Sequence, residues 1–199
     1  MTKTLEGKTI AILCGTGFEK LELTEPRAAL DAAGAKTVLI APTASPIKAW
    51  DMVNWAEEFP VDMALAEAAV HAEKGMFDGL HLPGGPLNAD VLRGDAFAVF
   101  FIREFFFKAG KPVSALCHAP WLLVEADVLR GRTVTSFPVI ATDLRNAGAV
   151  WVNGAAVRDG NLLTGRSPAD TPEFNAAMVA MFAEVVAPVV QSPPLQTAP

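Results

Sequence analysis

Short apolar runs alternate with helix-type stretches along most of this chain. Apolar runs at residues 9–13 and 37–41 flank a helical stretch at 21–33 that stops at Gly34. Two parallel strands need a crossover connection of this kind. The first part of the chain is therefore predicted to be a strand–helix–strand unit with its two strands parallel.

The same pattern recurs further along the chain. Buried-type strands are predicted at 79–82 and 113–116, joined by a helical stretch at 96–109. The remaining predicted elements are a helix at 119–126, a short strand at 133–135, a helix at 139–147, a hairpin-like segment at 150–164 and a final helix at 171–186. Together these elements predict an α/β domain built on a doubly wound, mostly parallel sheet.

The composition fits one packed domain. Of the 199 residues, 51% are hydrophobic and 19% are charged, which is enough apolar material for one core. We therefore predict a single domain over residues 1–186. The last stretch, 187–199, is rich in proline and has no periodic pattern, so we predict a mobile tail there.

Charge and targeting signals narrow the classes of partner. The formal net charge is -6 and no stripe of Lys and Arg is present, so no binding to nucleic acid is expected. The most apolar run, 97–107, is too short to span a bilayer and contains Arg103 and Glu104, so no membrane contact is expected. Glu6 and Lys8 interrupt any secretory apolar core at the start, which predicts a cytoplasmic location.

Neither a metal nor a nucleotide cofactor is indicated. The two cysteines, Cys14 and Cys117, are too few for a disulfide framework or a tetrahedral zinc site. The loop at 15–20 lacks the third glycine of a dinucleotide-binding fingerprint, and no phosphate-binding lysine motif occurs. We therefore expect chemistry that uses only the side chains and backbone of the protein.

Cys117 offers the most distinctive chemistry in the chain. It falls between the predicted strand at 113–116 and a helix with Pro120 in its first turn. A strand-to-helix turn can hold a nucleophile in a strained conformation, near the positive end of a helix, which favours thiolate. The alternative is a small buried hydrophobic residue, because free cysteines are often buried.

Loops at other predicted strand ends carry groups that suit a nucleophilic site. His118 is a candidate general base or proton shuttle, provided that a sharp turn lets it face Cys117. Backbone N–H groups in the Gly84–Gly85 loop, and that of His118 or Ala119, are candidate oxyanion donors, although paired glycines alone are as typical of a plain turn. Glu19 is a candidate acid, or else an exposed glutamate in the first turn of a helix.

Several segments together resemble the ThiJ/PfpI family of cysteine-dependent intracellular proteases and stress proteins, which are flavodoxin-like relatives of the class I glutamine amidotransferases. The resemblance runs over about residues 8–186. The segments that carry it lie at 17–26, 77–85, 110–121, 129–132, 142–148 and 159–170.

The resemblance implies roles for three residues. Cys117 would be the nucleophile, Glu19 the carboxyl group that contacts it, and His118 its catalytic partner. The resemblance also implies a homodimer, sometimes assembled further, with the site near a subunit interface. Family activities include peptide hydrolysis, cofactor-independent conversion of methylglyoxal to lactate, repair of glycated groups, and redox sensing through cysteine oxidation.

The chain departs from the family pattern at two places. Ala119 stands where the family usually has glycine, which narrows the pocket by a methyl group. Some proteolytic members complete a triad with an acid supplied by a neighbouring subunit a few positions after the paired glycines. Here Asp90 is the corresponding candidate, and it is out of register, which weakens the protease interpretation.

Three functional hypotheses remain open on the sequence. The first is an enzyme in which Cys117 adds to the carbonyl of a small reactive dicarbonyl, as in glutathione-independent glyoxalases and deglycases. The second is an intracellular cysteine peptidase. The third is a redox-responsive stress protein or holdase that works through oxidation of Cys117. The segment 50–55, with a tryptophan at each end, is a candidate pocket wall or a lid over the core.

Overall fold

A computed structural model describes residues 4–184, and the predicted tail at 187–199 lies outside these residues. The strands are β1 (Thr9–Leu13), β2 (Phe18–Glu19), β3 (Lys36–Ala41), β4 (Ile47–Asp51), β5 (Asn54–Phe59), β6 (Met63–Ala64), β7 (Gly79–Leu82), β8 (Val113–Leu116), β9 (Thr133–Val134), β10 (Val150–Trp151), β11 (Ala156–Asp159) and β12 (Leu162–Gly165). The helices are α1 (Lys20–Ala32), α2 (Leu65–Glu73), α3 (Pro86–Arg93), α4 (Ala96–Ile102), α5 (Pro120–Glu125), α6 (Ala141–Asn146) and α7 (Thr171–Ala183).

Seven strands form the central sheet, in the order β11-β12-β8-β7-β1-β3-β6. Every neighbouring pair in it is parallel except β11 and β12, which make an antiparallel hairpin at one edge. The predicted fold class, a doubly wound and mostly parallel α/β sheet, is therefore confirmed. A smaller sheet in the order β2-β4-β5 lies beside α1, and β9 pairs with β10.

The central strands are buried on both faces because helices cover both faces. In β1, Ile10 and Ile12 belong to clusters that include residues of α1 and α7. The alternate residues, Ala11 and Leu13, belong to the large cluster that α2 to α6 complete. Since β1, β7 and β8 run parallel, their carboxyl ends meet at one edge of the sheet, where the loops after Leu13, Leu82 and Leu116 come together.

The helix predicted at 96–109 differs from the observed structure in its second half. The α-helix ends at Ile102 and continues as a π-helical turn at Arg103–Phe107. Within this wider turn, Phe105 and Phe106 both make edge-on contacts with Phe101, with ring centroids 5.6 Å and 5.3 Å away. The aromatic packing accounts for the departure from regular α-helix.

None of the helices within residues 4–184 is long and apolar enough to cross a membrane.

Candidate active site

Cys117 lies in the strand-to-helix turn that the sequence predicts. β8 ends one residue before it, and α5 begins three residues after it. Its φ is 59°, a left-handed conformation that side chains rarely adopt and that costs on the order of 1–3 kcal/mol. Two backbone hydrogen bonds hold it: the Cys117 N–H donates to Gly165 O at 3.0 Å, and the Phe137 N–H donates to Cys117 O at 2.9 Å.

The carboxyl group beside the thiol belongs to Glu22. The Gly84 N–H donates to Glu22 Oε2 at 2.7 Å, while Oε1 is buried with no hydrogen-bond partner among the described residues. The Cys117 side chain lies next to this carboxyl group, since a Cβ atom added at Gly84 would meet both Glu22 Oε2 and Cys117 Cβ. Burial raises the pKa of Glu22 to about 8, so the carboxyl group is protonated at neutral pH and can donate to sulfur.

The implied contact between Glu19 and the thiol is therefore wrong. Glu19 is the residue just before α1, and its Oε1 accepts a hydrogen bond from the Met52 N–H at 3.4 Å. Its carboxyl group lines the same cavity as the thiol. Burial raises the pKa of Glu19 above its usual value, so Glu19 is a second carboxyl group in this cavity that holds its proton more strongly than a free glutamate does.

A helical pattern in the sequence could have identified Glu22. The buried residues of α1 are Glu22, Leu23, Pro26 and Leu30, which lie on one stripe at helical spacing. Glu22 is therefore a carboxylic acid placed on the core-facing side of a helix next to the site. Buried ionisable groups with strongly shifted pKa values are typical of functional sites.

His118 faces the sulfur because the turn is sharp. Its Nδ1 lies 3.2 Å from Cys117 Sγ, and its ring stacks on Phe137 with centroids 4.9 Å apart. Burial lowers the pKa of His118, so the imidazole is neutral at pH 7 and its unprotonated nitrogen can accept a proton. The same geometry suits a general base that acts as the thiol attacks.

Two backbone N–H groups favour negative charge on the sulfur. Burial and the Glu22 carboxyl group raise the pKa of the Cys117 thiol above its usual value, and the N–H groups of Gly85 and His118 act in the opposite direction without reversing this shift. The other predicted donors are engaged elsewhere: the Gly84 N–H binds Glu22, and the Ala119 N–H donates to Leu116 O at 2.9 Å. Gly84 and Ala119 are therefore wrong as oxyanion donors, and the role of Gly85 stays a prediction.

Asp90 lies outside this cluster. It is on α3, and its carboxylate pairs with Arg93 three residues later, with Oδ1 2.7 Å from Arg93 Nη2. It does not line the cavity around the thiol within the described chain. A role for Asp90 in a neighbouring subunit's site stays a prediction.

The thiol opens into a small cavity of about 200 Å³. Its walls combine two carboxyl groups, the thiol and the imidazole with apolar and backbone surface: Glu19, Glu22, Trp50, Met52, Gly85, Pro86, Cys117, His118, Phe137 and Pro168. This volume is below the roughly 300–1,000 Å³ of pockets for drug-sized ligands. Within residues 4–184, no group of three or more His, Cys, Asp or Glu side chains is placed to hold a metal ion.

Gly84 leaves the space that Glu22 occupies. A Cβ atom at this position would collide with Glu22 Oε2 and would lie 2.6 Å from Leu116 O and 2.9 Å from Cys117 Cβ. Backbone atoms of the sheet cannot move aside cheaply. We therefore expect Gly84→Ala to lower the free energy of unfolding by about 2–3 kcal/mol, measured by urea denaturation.

Gly15→Ala is the matched control for this substitution. The nearest atom to a Cβ at Gly15 would be Asn88 Oδ1 at 3.7 Å, an ordinary contact distance. Its expected effect is within about 1 kcal/mol. Equal stability changes in the two variants would contradict the steric role assigned to Gly84.

The fold and the site define a class of α/β protein with a buried cysteine at a strand-to-helix turn, next to a protonated carboxyl group. The profile of the DJ-1/PfpI family matches residues 8–181, and the chain belongs to this family. An uncharacterised protein of Staphylococcus haemolyticus is 38% identical over 173 residues, which are 86% of this chain and 96% of that protein. An uncharacterised protein of Staphylococcus aureus strain Mu50 is 37% identical over 174 residues, with the same two coverages.

Solved structures resemble the fold closely. A two-domain protein of Anabaena variabilis, with DJ-1/ThiJ/PfpI-like and ferritin-like domains, is 34% identical with a TM-score of 0.78; the match covers 87% of this chain and 47% of that one. DJ-1beta of Drosophila melanogaster is 25% identical with a TM-score of 0.78, covering 92% of this chain and 91% of that one. These relatives confirm the family resemblance seen in the sequence.

Proposed function

We propose that this protein is a cysteine-dependent enzyme that converts small reactive dicarbonyls, such as methylglyoxal, to hydroxy acids without glutathione. The observation that carries the proposal is the cavity of about 200 Å³ that holds a thiol, a neutral imidazole and a protonated carboxyl group together. Such a cavity admits a small aldehyde and supplies the nucleophile and the proton-transfer groups that its rearrangement requires.

The first half of the reaction forms a covalent adduct. His118 Nδ1, 3.2 Å from Sγ, takes the thiol proton as sulfur attacks the aldehyde carbon. The Glu22 carboxyl group gives its proton to the resulting oxyanion, which makes a neutral hemithioacetal. The Glu22 carboxylate then removes the proton from the former aldehyde carbon, while the imidazolium protonates the neighbouring carbonyl oxygen to give an enediol.

The second half returns the protein to its starting state. Glu22 protonates the enediol at the second carbon and His118 takes the hydroxyl proton from the first, which yields a thioester of the hydroxy acid. Water attacks the thioester, the Glu22 carboxylate takes a proton from the water, and the imidazolium protonates the departing sulfur. The balance is one dicarbonyl and one water consumed for one hydroxy acid released, with no net oxidation or reduction.

The peptidase and redox hypotheses have less support in this geometry. The cavity is small for an extended peptide, and Asp90 is engaged with Arg93. Cys117 is only 5% exposed, and burial raises the pKa of its thiol, both of which slow reaction with peroxide. Assembly as a homodimer, which the resemblance implies, and a cytoplasmic location remain parts of the proposal.

The test is the conversion of methylglyoxal by the fully reduced protein in D₂O without glutathione. We expect lactate, and the deuterium at its second carbon measures how far the proton that Glu22 carries from the first carbon to the second exchanges with solvent on the way. Protein alkylated beforehand with iodoacetamide is the control. Absence of lactate above that control would overturn the proposal, and turnover by Glu22→Gln at the wild-type rate would overturn the proton-transfer scheme.

A further inference from the structure

A second cavity adjoins the one that contains the thiol. It has a volume of about 260 Å³ and is lined by Gly17, Trp50, Trp55, Pro86 and Leu87. Two of these residues, Trp50 and Pro86, also line the cavity around Cys117. The two spaces therefore adjoin each other at Trp50 and Pro86. We call this second space the tryptophan slot.

The walls of the tryptophan slot are fixed by contacts of their own. Trp50 and Trp55 face each other across the β4–β5 hairpin, with rings in an edge-on arrangement and centroids 5.3 Å apart. The Trp50 indole N–H donates to Met52 O at 3.1 Å, so its polar group is already satisfied. Because these side chains are already held in place, binding a ligand between them requires little further loss of side-chain conformational entropy.

Close packing between Gly17 and Leu87 forms another wall of the tryptophan slot. Gly17 has a φ of 87°, and a Cβ atom there would lie 2.7 Å from Leu87 Cδ2. The absence of a side chain at Gly17 thus allows Leu87, in the first turn of α3, to lie against the loop that follows β1. Leu87 is 47% exposed, which leaves part of its side chain available to a ligand.

The lining of the tryptophan slot is apolar and carries no charged side chain. A charged group near it, the Lys48 ammonium, lies over the Trp55 ring at 5.8 Å from its centroid. An apolar cavity of about 150 Å³ is large enough to hold benzene, so a slot of this volume accepts a phenyl ring. Aromatic groups also gain from edge-on or offset contacts with two indole rings.

We infer that the tryptophan slot is a subsite for an apolar substituent of the substrate, with an aryl group preferred over a methyl group. This inference rests on the proposed function and specifies its substrate class as aryl- or branched-alkyl-substituted glyoxals. The aldehyde carbon would sit over Cys117 Sγ, and the substituent on the neighbouring carbonyl carbon would pass Trp50 and Pro86 into the slot.

The test compares the kcat/KM values for phenylglyoxal and methylglyoxal in three proteins. The wild type is expected to favour phenylglyoxal about tenfold, which corresponds to the transfer of several apolar atoms from water. Leu87→Asp places a carboxylate in the slot and is expected to lower this preference about tenfold. Val91→Asp is the matched control, because Val91 is an exposed residue of the same helix that does not line the slot.

The outcomes separate this inference from the proposed function. An unchanged preference in Leu87→Asp, or an equal loss in Val91→Asp, would overturn the subsite. A change of oligomeric mass in Leu87→Asp alone, measured by light scattering, would overturn it in favour of a contact between subunits.

If the wild type turns over neither glyoxal, the proposed function fails while the subsite is still tested by alkylation of Cys117. The rates for N-benzyl iodoacetamide and iodoacetamide are then compared in the same three proteins. A preference for the benzyl reagent that Leu87→Asp removes and Val91→Asp keeps would support the subsite. No preference in the wild type would overturn it.

Discussion

Cys117→Ala is expected to lower kcat/KM for methylglyoxal by at least about 10³-fold, because removal of a covalent nucleophile leaves only binding and general acid–base effects. The substitution removes one sulfur atom and keeps the backbone conformation, whose φ of 59° is as unfavourable for alanine as for cysteine. Its effect on stability should therefore be small. The measurement is the rate of lactate formation by the two proteins, with thermal melting to verify that the variant is folded.

Cys14→Ala is the matched control for this experiment. Cys14 is also a buried free cysteine close to the carboxyl end of a central strand, but it lies in an apolar cluster and does not line the cavity. Burial raises the pKa of its thiol, and among residues 4–184 no acid or imidazole contributes to that pKa. Full turnover by Cys117→Ala, or an equal loss in Cys14→Ala, would contradict the assignment of Cys117 as the nucleophile.

The central strands could be predicted from the sequence because they are buried on both faces. β1, β7 and β8 have the bounds that their apolar runs predict, and β3 begins one residue earlier than its run. Each is a short, nearly continuous apolar segment that ends at a glycine, proline or cysteine loop. Helix α1 was also predictable, since its stripe of apolar residues ends near Gly34.

Elements outside the central layer carried weaker signals. In β5 the residues are exposed or only partly buried, so the segment has no apolar run, and its pairing with β4 contains an irregularity between Lys48 and Trp50. Helix α3 follows Gly85 directly and has polar residues between its buried ones, so it does not stand out from the loop before it. These two elements supply Trp55, Pro86 and Leu87 to the tryptophan slot, so the sequence indicated only the segment 50–55 as a candidate pocket wall and not the side that α3 forms.

The site itself was predictable where the chemistry is local. Cys117 and His118 are neighbours in the chain, and one sharp turn brings their side chains together. The choice between Glu19 and Glu22 depended instead on the rotation of α1 relative to the sheet, which the stripe of buried residues along the helix indicates and the glycine loop alone does not. Because both glutamates lie within one helical turn, a small error in the predicted start of the helix changes which of them meets the sulfur.

Glu22→Gln is expected to stabilise the protein in a pH-dependent way. The pKa of Glu22 is raised by burial from 4.5 to about 8, so the folded protein binds a proton that the unfolded chain releases. Below pH 4.5 the folded and the unfolded protein both hold this proton, so Glu22 does not make the free energy of unfolding depend on pH. As the pH rises from 4.5 to about 8, stability is lost, because only the unfolded state ionises freely.

The size of the effect follows from the same shift. Each pKa unit corresponds to about 1.4 kcal/mol, so the full loss of unfolding free energy is on the order of 5 kcal/mol above pH 8. Glutamine keeps an oxygen that can accept the Gly84 N–H and an amide that can donate to sulfur, but it never ionises. Glu22→Gln should therefore melt about 10 °C higher than wild type at pH 8.5, and at nearly the same temperature at pH 4.

The exposed Glu25, on the same helix, supplies the control, since Glu25→Gln should not change the pH dependence of melting. A difference between wild type and Glu22→Gln that is the same at both pH values would contradict the elevated pKa. A buried acid that destabilises the protein at working pH points to a requirement beyond folding. In the proposed reaction Glu22 is required because its carboxyl group supplies a proton. Glu22→Gln should therefore combine higher stability at pH 8.5 with lower turnover. A carboxyl group with a purely structural role would leave turnover unchanged when it is replaced.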